Sequence, residues 1–146
     1  MATIWLIDTS VFCNILNIPG RNQSRDEIIE LFRLRILTGD SFLMPYSSIV
    51  ETGNHISRLA GDQKFQFAEK FRDELLKALQ EKAPWKPLKF PTHEDLAKWL
   101  KDFPKFAAQA TEFADFSIIK EWEEQRSRYQ GYEVHIWSLD HSLSGY

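Results

Sequence analysis

Apolar residues in this chain fall into short segments of two kinds. One kind has no polar alternation, and the other repeats every three or four positions. The first kind opens the chain: Thr3, Ile4, Trp5, Leu6 and Ile7 are mostly β-branched or aromatic, the pattern of a strand covered on both faces. Residues 41–44, ended by Pro45, predict a second strand, and residues 133–137, after Gly131, a last one. Leu88-Lys89-Phe90 stands between Pro87 and Pro91 as a possible small strand.

The second kind predicts helices. Residues 11–16 suggest a brief one, stopped by Pro19-Gly20. Ser24-x-x-Glu27 is a capping-box pattern, and Ile28, Ile29, Phe32, Ile36 and Leu37 follow it, so a helix is expected over 25–37, closed by Gly39. Ser47 or Ser48 should cap a helix with Glu51 in its first turn, ending near Gly61. Asp62 opens a regular pattern through Phe65, Ala68, Phe71, Leu75 and Leu79 to about Lys82. Thr92 to Asp95 should start a helix carrying Leu96, Trp99, Leu100 and Phe103, stopped by Pro104. A last helix is expected from Asp115 to about Tyr129. Strands alternating with helices imply parallel βαβ units, hence an α/β, three-layer α/β/α fold around a short central parallel sheet. Length and the lack of a long linker fit one domain over residues 1–146.

Four acidic residues sit where apolar segments stop or start: Asp8 after the first strand, Glu51 after Ile49-Val50, Asp115 before Ile118-Ile119, and Asp140 after the last strand. Parallel sheets gather their sites at the carboxyl ends of the strands, so all four can share one rim. Each has a simpler role open to it. Asp8 can cap a turn, Ser48-x-x-Glu51 is itself a capping box, Asp115 can cap or favour a helix start, and Asp140 can be a turn residue. Together, four acids with no sequence-adjacent Lys or Arg would repel one another unless a cation held them ionised. Hard divalent ions with oxygen ligands, Mg²⁺ or Mn²⁺, suit such a set, and phosphate chemistry follows.

Composition narrows the classes. A hydrophobic fraction of 43% and an aromatic fraction of 14% argue for a folded globule. The single cysteine, Cys13, excludes an internal disulfide and a cysteine-built zinc site, and it reads as a buried thiol. No segment approaches the ~18 apolar residues of a membrane span, and Asp8 interrupts the N-terminal run, so a cytoplasmic protein is expected. Net charge is −3, yet residues 58–106 carry a basic excess beside an acidic remainder, as a nuclease could use.

The same residues carry a resemblance. Ile4-Trp5-Leu6-Ile7-Asp8-Thr9-Ser10, Ile49-Val50-Glu51, Phe113 to Ile119 around Asp115, and Ser138-Leu139-Asp140 resemble, in order and separation, the four motifs of PIN-domain ribonucleases. The resemblance implies a PIN-like fold and an endoribonuclease that cleaves single-stranded RNA by water, leaving a 5′-phosphate. It implies Asp8, Glu51, Asp115 and Asp140 as the catalytic, metal-binding set for Mg²⁺ or Mn²⁺, with Ser10 and Ser138 as helping hydroxyls. It also implies a toxin of the VapC-like group in a toxin–antitoxin pair, with an antitoxin protein as partner and a homodimer as its assembly.

Other features are weaker. Lys82, Trp85, Lys86, Lys89, Phe90, Lys98, Trp99, Lys101 and Lys105 interleave charge with aromatics, as single-strand binding uses, although the aromatics can equally pack inward beneath a solvated lysine face. His141 and His55 could approach the acids, and Asn14 and Asn54 could orient a ligand or act as plain capping amides. Two other functions compete: a PIN-like module that binds RNA or protein without cutting, and a haloacid-dehalogenase-type phosphatase. The latter wants a second Asp where this chain has Ser10.

Overall fold

The computed structural model describes residues 2–146. The chain runs β1 (Thr3–Ile7), α1 (Thr9–Ile15), α2 (Arg25–Leu37), β2 (Ser41–Met44), α3 (Tyr46–Ser57) and α4 (Gln63–Leu79). It continues through β3 (Trp85–Pro87), α5 (His93–Ala108), α6 (Phe113–Arg128) and β4 (Glu133–Trp137) to a 3-10 turn (His141–Leu143). The four strands form one sheet in the order β3-β2-β1-β4, every pair parallel.

Strands β1 and β2 have no polar alternation because both faces of the sheet are covered there, whereas the edge strand β4 leaves Glu133 exposed and His135 half-buried. Trp5, Ile7, Phe42, Met44, Trp85 and Trp137 meet a core built with Val11, Phe12, Ile28, Phe32, Ile56 and Ala78 from α1 to α4. Ile4, Leu6, Leu43, Val134 and Ile136 meet Ile118 and Ile119 of α6, with Phe106 of α5 and Leu143 beside them. This is the expected three-layer α/β/α architecture. Each large apolar side chain fully buried there contributes roughly 1.5–3 kcal/mol.

Local signals were overruled at four places. The small strand forms at 85–87, not 88–90, because Trp85 packs its ring edge-on to Phe12 at 5.3 Å and sets the register Phe42↔Trp85. Helix α5 runs through Pro104 to Ala108, held by the packing of Phe103 and Phe106 on Phe116 at 5.1 and 5.0 Å. Ser24 makes no side-chain cap to α2. Helix α3 starts at Tyr46, directly after Pro45, so Ser48 lies inside it and forms no capping box with Glu51. The Ser48 hydroxyl instead donates to the Ile7 carbonyl at 2.7 Å, tying α3 to the end of β1.

The chain steps from β1 outwards to β2 and β3, then crosses back to place β4 on the other side of β1. The direction of winding reverses between β1 and β4. A crevice opens beyond the carboxyl ends of such a strand pair.

Candidate active site

Asp8 is the first residue beyond β1, and it is 8% exposed. Its backbone N–H donates to the Trp137 carbonyl at 3.0 Å, and its side chain caps α1. One carboxylate oxygen, Oδ2, accepts hydrogen bonds from the Ser10 and Ser138 hydroxyls, each at 2.7 Å. Those hydroxyls in turn accept from the Leu139 and Asp140 backbone N–H groups at 3.0 and 2.9 Å. The exits of β1 and β4 are thereby laced together around one carboxylate.

Asp140 caps the final 3-10 turn by accepting from the Ser142 N–H at 3.0 Å, and the Ser142 hydroxyl donates to Asp115 Oδ2 at 3.3 Å. Asp115 lies in the first turn of α6, whose N-cap position is Glu112, so Asp115 is not the cap. Glu51 sits on α3, held near β1 by the bond from Ser48 to Ile7. Asp8, Glu51, Asp115 and Asp140 all line one cavity of about 320 Å³, together with Ser10.

The carboxylates act on one another electrostatically. Burial first, then the charges of Asp140, Asp8 and Glu51, push the Asp115 carboxyl up to about 6, against a small pull from the Ser142 hydroxyl. Glu51 is also raised, chiefly by burial and further by Asp8 and Glu112, while the Thr9 hydroxyl and Arg21 pull it down.

The cavity has members that sequence patterning did not single out. Glu112 adds a fifth acid and Arg21 a cation. Arg21 comes from the loop after Pro19-Gly20, and no local periodicity marks such a residue. His55, one turn after Glu51, does face this rim, and burial with Arg21 and Arg58 nearby lowers its pKa. Asn14 is buried and structural: its amide donates to the Ser10 carbonyl at 2.8 Å, and its oxygen accepts from the Ser24 N–H at 3.0 Å. Asn54 and His141 are exposed. Burial pushes the Cys13 thiol up to about 11, which leaves it protonated and inert at neutral pH.

Among the described residues, no three His, Cys, Asp or Glu side chains stand drawn together as a ready-made ion site. The four acids instead face a shared space from different elements. Their chemistry still fits a hard divalent ion: all four offer carboxylate oxygens, and a cation would offset both the burial and the neighbouring charges that lift Asp115. In comparisons with known proteins, no family model, curated protein or solved structure matches this chain at a level that marks kinship. Among the described residues, no helix is long and apolar enough to cross a membrane.

Proposed function

We propose that this protein is a metal-dependent ribonuclease of the PIN-domain type, hydrolysing phosphodiester bonds in single-stranded RNA. The observation that carries the reading is one cavity, at the switch point between β1 and β4, lined by five carboxylates, among them Asp8, Glu51, Asp115 and Asp140 from four separate parts of the chain. Asp8, Glu51, Asp115 and Asp140 would hold Mg²⁺ or Mn²⁺. When bound, such an ion lowers the pKa of a coordinated water and offsets charge on a phosphoryl group. Ser10 and Ser138 fix the Asp8 carboxylate in one orientation through their paired hydroxyl bonds. Arg21, at the rim, offers a cation to an approaching phosphate.

The toxin reading, with an antitoxin partner and a homodimer, belongs to this proposal as its finer level. Leu34, Ile36 and Leu37 at the C-terminal end of α2 stand exposed together, apolar surface that a homodimer would cover. The deciding assay incubates the protein with single-stranded RNA and Mn²⁺, with and without chelator, beside the Asp8→Asn protein. Chelator-sensitive cutting that disappears in Asp8→Asn is the expected result. Binding without cutting would leave a non-catalytic module, and phosphate release from small monoesters a phosphatase.

A further inference from the structure

Beside the acidic cavity lies a second space of about 460 Å³, lined by Tyr46, Val50, Phe90, Leu96, Trp99 and Phe113, with Glu51 also on its wall. Glu51 lines the acidic cavity as well, so the two spaces meet at that side chain. The aromatic wall is not closed core. Phe90 is 65% exposed and Phe113 41%, whereas Trp99 is 9% exposed. The Phe90 ring meets Tyr46 edge-on at 4.7 Å. Beyond Phe90, Pro91 and Trp99 an adjoining cavity shares those three residues and is lined by Lys86, Lys89 and Arg128 together with Asp95, Glu124 and the buried Glu121.

An acidic, an aromatic and a mixed-charge surface therefore adjoin one another, the last carrying three cations. An aromatic face flanked by cations suits a nucleobase with its phosphates, because stacking is indifferent to sequence while the charges hold the backbone. Of the interleaved basic and aromatic residues at 82–105, Trp85 and Trp99 are buried and only Phe90 remains open to stack. We propose that this groove is a nucleobase subsite: one base of a single strand stacks on Phe90 beside Tyr46. The backbone passes Glu51 on one side and follows Lys86, Lys89 and Arg128 on the other. The inference rests on the ribonuclease reading for its choice of ligand, and its test does not depend on cleavage.

The test measures anisotropy of a fluorescein-labelled single-stranded RNA octamer with the Asp8→Asn protein, so binding is read without cutting. Phe90→Ala and Phe90→Leu should each weaken binding roughly tenfold, the loss of one stacked base, and Phe90→Trp should restore it. An octamer with abasic sites should bind the parent protein as weakly as the normal octamer binds Phe90→Ala. Circular dichroism of each variant checks the fold, which an exposed side chain should not disturb. Equal binding by all variants, or full retention by Phe90→Leu, overturns the subsite. So does a self-association that Phe90→Ala abolishes while RNA binding is kept, since the groove would then seat a second copy. Base-dependent binding, together with a wild-type protein that never cuts RNA, would sink the ribonuclease and leave the subsite standing.

Discussion

Both carboxylate oxygens of Glu121 are buried without a hydrogen bond, and burial lifts its pKa to about 8, although the nearby Tyr46 N–H pulls it partly back. The folded protein therefore keeps a proton there that the unfolded chain, with an ordinary Glu value of 4.5, releases. Between about pH 4.5 and 8 the native state binds more protons, so this residue makes stability fall as pH rises through that window. Glu121→Gln keeps the shape and removes the titration. Urea unfolding at pH 5 and pH 8 should show the parent losing about 2–4 kcal/mol more than the variant between those values. Parallel pH profiles would mean that Glu121 finds a partner in solution. The site carboxylates obey the same physics. Asp115, pushed to about 6 by burial and its neighbours, is destabilising when ionised at neutral pH without a cation.

Two contacts at the scale of elements lead to opposite expectations. Ser48→Ala removes the donor to the Ile7 carbonyl and leaves a buried acceptor unpaired, so thermal unfolding should show a loss of about 1–3 kcal/mol. No change would mean that α3 is seated by its apolar contacts alone. Pro104→Ala restores an N–H inside α5 at an exposed position and should stabilise, by up to about 3 kcal/mol, with no change in fold. These elements also mark what sequence could and could not foretell. β1 and β2 were legible to the residue because a strand buried on both faces has an apolar signature that needs no knowledge of its partners, and β4 because Gly131 and the apolar Val134, Ile136 and Trp137 mark its bounds. β3 was misplaced because its position is chosen by the Trp85 ring against Phe12 and by register with β2, and neither is local. The capping-box pattern failed at Ser24 and Ser48 but holds at Thr92, whose hydroxyl accepts from the Asp95 N–H at 3.1 Å. A cap depends on where the preceding residue directs the chain, and Pro45 directs it one way that the pattern alone does not contain.

For the whole molecule, the convergence of the four acids was readable because element ends are visible in the hydrophobic pattern, and the topology then places those ends together; Ser10 and Ser138 came instead from the family resemblance of the motifs that contain them. Arg21 and Glu112 were not, since loop residues reach the cavity through tertiary geometry. The cavity as a unit makes one prediction separable from catalysis. If the carboxylates repel one another while facing a shared space, a divalent cation that binds only the folded form should stabilise the whole domain by mass action. The gain is about 2.7 kcal/mol at a hundredfold excess over the dissociation constant. Melting curves with Mn²⁺, Mg²⁺ and K⁺ at equal ionic strength should rise for the two divalent ions alone. Asp115→Asn should start from an equal or higher melting point, because one charge of the repelling set is gone, and should respond much less to either ion. It should also lose cleavage altogether. An Asp115→Asn protein that melts well below the parent without metal would assign that side chain to holding the start of α6. A parent protein whose melting point ignores divalent ions would remove the reason for its four carboxylates to share a cavity.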